Sequence, residues 1–182
     1  MAINWSDFFQ FNQNDTFDII EEDGLIQGGT NLKLGDGKVS EISGNKLVLE
    51  LNIISQTLDL TGVLDLFADS VDVPQITGTV SIEISNLGDG NRLEATGTYI
   101  DPTGATKSFS YTDTDLEARL RSGGDRIRLN ASDSFLSTIS DNSNINRLGR
   151  LEFEKTGDSN TTEIDIGRLP FGLKVDVFLQ RN

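Results

Sequence analysis

The sequence predicts an all-β protein, an antiparallel β-barrel or β-sandwich of about ten strands with one or two short helical turns. The first sign is strict alternation of apolar and polar residues over many short runs, the pattern of half-buried strands. The second is spacing: the runs recur at intervals of roughly ten residues, separated by Gly-, Asn- and Asp-containing turns. The third is composition, with 18 glycines and only 3 prolines, 36% hydrophobic and 24% charged residues. At 182 residues the chain reads as one domain, 1–182, long enough to bury a sizeable core. Residues 1–16 are a candidate N-terminal arm.

In chain order, residues 5–11 read Trp-Ser-Asp-Phe-Phe-Gln-Phe. Ser6 is placed to cap a short helical turn, with Phe8, Phe9 and Phe11 packing inward; an aromatic arm docking on a neighbouring subunit is the alternative. Phe17, Ile19 and Ile20 precede an acidic turn, Glu21-Glu22-Asp23-Gly24. Residues 25–34 predict a short strand closed by Gly35-Asp36-Gly37, and residues 39–42 another, ending near Ser43-Gly44-Asn45. Residues 46–54 predict a central strand, with Leu47, Leu49, Leu51 and Ile53 on one face. Residues 58–73 fit either strands or one or two helical turns, and Pro74 ends them.

From Ile76 the pattern is a meander. Val80, Ile82 and Ile84 alternate with Ser81, Glu83 and Ser85; after a turn at 86–91, Leu93, Ala95, Gly97 and Tyr99 alternate with Glu94, Thr96 and Thr98. Asp101-Pro102-Thr103-Gly104 is a turn with Pro at its favoured second position, and Phe109 and Tyr111 resume the alternation. Residues 130–146, rich in Ser, Asn and Asp, predict a long connection with one helical turn at 134–140. Three strands close the chain, around Leu151/Phe153, Ile164/Ile166 and Leu173/Val175/Val177/Leu179. The turn sequence Leu-Gly-Asp-Gly occurs at Leu34 and at Leu87 without any wider internal repeat.

Residues 115–131 are the least ordinary stretch. Leu116, Ala118 and Leu120 alternate with Glu117, Arg119 and Arg121; beyond Ser122-Gly123-Gly124-Asp125, Ile127, Leu129 and Ala131 alternate with Arg126, Arg128 and Asn130. Gly-Gly between two such runs predicts a two-residue hairpin turn, because Gly tolerates φ > 0. Ser122 then faces Asp125, Arg121 faces Arg126 and Arg119 faces Arg128, so all four arginines share one face. Like charges directly opposite are unfavourable, so the patch needs counter-charge from solvent, carboxylates or an anionic partner. Glu152, Glu154, Glu163 and Asp165 share the polar parity of the later strands and are the candidate counter-charges. Six of the nine arginines lie between Arg119 and Arg150. Arg119, Arg121, Arg126 and Arg128 are therefore the candidate site, for an anion or for subunit docking, since the planar guanidinium binds carboxylate or phosphate bidentately.

Net charge is −14. Up to Gln75 there are 13 acidic residues against 3 basic ones. An acidic chain disfavours nucleic acid, whose binding rests on cations against phosphate, and an anionic membrane surface for the same reason. With neither cysteine nor histidine, disulfides, thiolate sites, Ser-His-Asp and Cys-His catalysis and ordinary zinc sites are excluded. Asn/Asp/Gly loops at 12–18, 35–37, 89–91, 141–144 and 158–160 resemble calcium loops only in composition. They lack EF-hand spacing, and no metal or cofactor is expected. No phosphate-binding Gly loop appears. The N-terminus has no basic region or long apolar run and no stretch has transmembrane length, so a cytoplasmic location without membrane insertion is expected.

These bounds predict a non-enzymatic β-domain acting as a structural or protein-interaction (assembly) module, with itself or another protein as partner. The alternatives are a β-barrel binding a small molecule, with carboxylate-based cyclase or isomerase chemistry, and an anion-binding module using the arginines.

Overall fold

A computed structural model of the chain describes residues 3–21, 32–53, 78–100, 103–121, 124–130, 150–154, 160–168 and 174–182. The expected short strand up to residue 31, the ambiguous stretch 58–73 and the connection 131–146 lie outside the described residues. The protein is all-β. The strands are β1 Thr16–Glu21, β2 Leu32–Ser43, β3 Lys46–Ile53, β4 Gly78–Ser85, β5 Arg92–Ile100, β6 Thr106–Asp113, β7 Glu117–Leu120, β8 Arg126–Asn130, β9 Arg150–Glu154, β10 Thr161–Arg168 and β11 Lys174–Arg181. These eleven form a single sheet, curled into a half-barrel; a two-sheet sandwich is not the solution. A 3-10 turn at Trp5–Asp7 is the one helical element among the described residues. Its cap is Asn4 rather than Ser6: the Asn4 side chain accepts from the Ser6 N–H at 3.1 Å.

The strand order is β6-β5-β4-β3-β2-β1-β11-β10-β9-β8-β7. Each neighbour in the sheet is a neighbour in the chain, except at the seam where β1 meets β11. Arg181 and Asn182 fasten that seam: the Asn182 N–H donates to Thr16 O at 3.0 Å, and Arg181 lies 3.5 Å from Asp15. Every pairing is antiparallel. Direction therefore reverses at each step, and β6 and β7, an even number of steps apart at the two edges, run the same way.

Only Thr114, Asp115 and Leu116 separate β6 from β7, so their adjoining ends are at most about 14 Å apart. One continuous path supplies both edges, and the sheet has to curl to let it. Asp113 fixes the break between them. Its buried carboxylate accepts from the Asp115 N–H at 2.8 Å and from the Tyr111 hydroxyl at 3.4 Å.

The curl is built at glycines. Phe17, Gly37, Leu51, Val80, Gly97 and Phe109 stand in one cross-strand row on the core face of β1 to β6. A Cβ on Gly37 would fall 2.6 Å from Glu50 O and 2.7 Å from the Phe17 ring. One on Gly97 would fall 2.1 Å from Thr79 O and 3.1 Å from the Phe109 ring. The strands come closer there than any side chain permits, and each Phe lies over the glycine opposite it, as in designed curved sheets. Gly35-Asp36-Gly37 is accordingly the inside of the long strand β2, not the turn expected from its composition. The glycines bend the strand without ending it.

The N-terminal segment packs into the core of the sheet. Ile3, Trp5, Phe8, Phe9 and Phe11 are buried. Trp5 meets Phe153 edge-on at 5.1 Å between ring centroids, Phe9 meets Phe153 at 6.4 Å, and Phe11 lies 5.9 Å from Phe17. The Trp5 N–H donates to Gly44 O at 2.7 Å. The Trp5 indole nitrogen is buried without a hydrogen-bond partner among the described residues. This segment is folded into the chain's own core.

If the close approach at Gly97 sets the curl, Gly97→Ala lowers stability by roughly 1–3 kcal/mol or more. Gly44→Ala, whose Cβ meets nothing within 4 Å, leaves it within about 0.5 kcal/mol. Urea unfolding followed by Trp5 fluorescence separates the two.

Candidate functional site

The arginine hairpin forms in the register that alternation requires. Arg119 pairs with Arg128 and Leu120 with Ile127, and the Arg121 N–H donates to Arg126 O at 2.9 Å. Gly124 has φ 72°, the left-handed region that favours glycine, and its N–H bonds to Arg121 O at 2.9 Å; with Arg121 and Arg126 the bonded pair, the loop has four residues rather than the two expected from Gly-Gly. Ser122 and Gly123 lie outside the described residues. Ile127 and Leu129 are buried in the core, which turns the arginines to the opposite face.

β9 lies against β8 and brings two of the four candidate carboxylates to the arginines. Arg126 pairs in register with Glu154 and Arg128 with Glu152. The Arg128 Nε donates to Glu152 at 2.8 Å; Arg126 donates to Glu154 at 2.8 Å and reaches Glu152 at 3.5 Å. Glu163 and Asp165 face Glu154 and Glu152 from β10, one strand further from the arginines. Sequence reasoning missed Glu117, whose carboxylate lies 3.3 Å from Arg119. Its position two residues earlier on the same face of β7 was the available signal.

The four arginines thus divide. Arg126 and Arg128 lie over Glu152, whose side chain is only 6% exposed. Burial by itself would raise the pKa of Glu152, but the hydrogen bond from Arg128 and the charges of Arg128, Arg126 and Arg121 outweigh it. The carboxyl is held below its ordinary value of 4.5. Arg126 is correspondingly raised, first by its hydrogen bond to Glu154 and then by that carboxylate's charge. Arg119 is 70% exposed and its partner Glu117 is 58% exposed, a surface pair of little energetic weight. Arg121 is exposed and makes no ion pair among the described residues. At the hairpin edge, then, Arg119 holds only an exposed ion pair and Arg121 none among the described residues.

Elsewhere a trough of about 630 Å³ crosses β1 to β5 and is lined by Asp36, Lys38, Glu50, Asn52, Thr79 and Thr96, among others. Lys38 and Glu50 pair there at 3.6 Å. Nothing in the sequence marks this trough, because it exists only where five strands bring polar residues alongside Gly37, Leu51, Val80 and Gly97. Two of the Asn/Asp loops are accounted for by turn chemistry: Asp15 accepts from the Asn12 N–H and Asn91 from the Gly88 N–H, both at 2.8 Å. Among the described residues no group of three or more His, Cys, Asp or Glu could hold a metal ion, and no helix is long and apolar enough to cross a membrane.

No protein-family model, curated protein or solved structure matches the chain.

A folded-state pKa below the unfolded one makes Glu152 stabilising above about pH 4.5, and that contribution is lost as pH falls through the lowered value. Glu152→Gln is expected to cost about 2 kcal/mol at neutral pH and to lose less stability than the wild type on acidification to about pH 3. Urea midpoints of both proteins at the two pH values test this; equal acid losses would refute it.

Proposed function

We propose that the chain is a non-enzymatic protein-interaction (assembly) module that docks an acidic protein surface on the exposed half of its arginine hairpin. The observation that carries this reading is the exposure of Arg119 and Arg121 at a sheet edge while Arg126 and Arg128 are neutralised by Glu152 and Glu154. On a chain of net charge −14, Arg121 beside Arg119, whose only ion pair among the described residues is an exposed one with Glu117, makes a local positive site. Such a site steers acidic partners and fixes their orientation. Arg suits the task because its fork grips a carboxylate bidentately. A second copy offers one such surface, since residues up to Gln75 carry 13 acidic groups against 3 basic ones.

The buried N-terminal aromatic residues support the same reading over a ligand-binding barrel. Trp5, Phe9 and Phe11 pack into the core, where a barrel of that kind keeps its cavity. The lack of His and Cys is also in keeping with binding rather than catalysis.

Sedimentation velocity at low and at high salt, on the protein alone and mixed with polyglutamate, tests the proposal. The wild type is expected to sediment faster with polyglutamate at low salt and to lose the shift at high salt. The double variant R119E/R121E is expected to show no shift in either condition. A double variant that behaves as the wild type would overturn the reading.

A further inference from the structure

We infer that β7 accepts an extended segment of a partner protein, alternately acidic and apolar, as an added strand; this rests on the docking reading above and specifies its mode. The inference begins with the backbone. In an antiparallel ladder, hydrogen-bonded pairs alternate with non-bonded ones. The Arg121 N–H bonds to Arg126 O, so Arg119 and Glu117 are the residues whose backbone groups turn towards β8. The N–H and C=O of Ala118 and Leu120 turn away from it. β7 ends the sheet, and no described residue pairs with that side of it. A row of unpaired backbone groups at an edge is a template for another strand.

The side chains select which strand. Arg119 and Arg121 stand two residues apart on one face, about 6.8 Å along the strand. Carboxylates at alternate positions of an added strand have the same spacing and would lie beside them. On the other face Ala118 and Leu120 are half-buried and offer apolar surface to the intervening residues of that strand. Pairing β7 with a second copy brings arginine against arginine in the parallel in-register arrangement and in the antiparallel one centred on Arg119; the antiparallel arrangement centred on Ala118 instead sets Glu117 against Arg119, an acidic residue in the position assigned to the partner's carboxylates. Charge at an edge usually serves to block all pairing. Here the block is selective, since an acidic strand gains both the backbone bonds and the ion pairs, and strand addition of this kind draws affinity from the main chain and specificity from alternate side chains.

The experiment is amide exchange by NMR on the full chain, with a capped peptide of alternating Glu and Val and, as control, a peptide of the same composition with its Glu residues in one block. At saturating alternating peptide, exchange at the Ala118 and Leu120 amides is expected to slow at least tenfold. The Arg119 amide, already bonded to β8, should change little. R119E/R121E should weaken binding more than tenfold, and the block peptide should give no protection. Binding without protection of Ala118 and Leu120 would overturn strand addition and leave acidic docking standing. Absence of any binding, with polyglutamate also failing to shift the sedimenting species, would overturn both.

Discussion

Trp5 set edge-on against Phe153, with Phe9 on the same ring and Phe11 against Phe17, is the contact on which the curled sheet depends. The interior of a barrel widens with strand number, and about eight strands already make it just wide enough for the strands' own side chains to fill. A sheet of eleven curls on a larger radius and would leave its concave apolar face uncovered. The N-terminal segment supplies the missing volume. Its aromatic rings bury large areas and bridge strands far apart in the sheet, β1 through Phe17 and β9 through Phe153. The Trp5 N–H bond to Gly44 O ties the same segment to the turn between β2 and β3.

The plug and the curl require each other. Glycines at 37 and 97 let β1 to β6 bend closely, and Phe17 and Phe109 cover the backbone that those glycines expose. The bend in turn lets β6 and β7, successive lengths of one path, serve as opposite edges. The last strand closes on the first at the β1·β11 seam. Long-range pairing there joins residues at the two ends of the chain, a costly closure in entropy. It is made late in the sequence but holds the centre of the sheet.

Much of the strand content was legible because burial on one face imposes a period of two. The β3 alternation of Leu47, Leu49, Leu51 and Ile53 and the arginine register could be read directly. Gly35-Asp36-Gly37 misled because turn composition and a strand kink use the same residue for different reasons: in a turn glycine supplies φ > 0, and in β2 it supplies the absence of a Cβ. The parity of Glu152 and Glu154 was legible, whereas their adjacency to the arginines was not. Adjacency depends on β9 following β8 in the sheet, and parity carries no strand order. The same limit explains why Glu163 and Asp165, equal to Glu152 and Glu154 by pattern, stand one strand away. The β1·β11 seam left no local mark at all.

Strand order is also what makes four similar arginines unequal. β8 has a neighbour on each side, and β9 gives it carboxylates, so Arg126 and Arg128 become part of a partly desolvated ion-pair group. Removing one partner from such a group costs more than the group contributes, because a charge is then left buried. Among the described residues β7 has a neighbour on one side only, so Arg119 and Arg121 are exposed, and neither donates a hydrogen bond to the buried Glu152, to which Arg121 contributes only the least of its stabilising charges. Residues that the fold does not need in place are those free to be set by a partner. The exposed pair can therefore be changed with less disturbance to the sheet than the buried pair, which holds β8 and β9 together through Glu152 and Glu154.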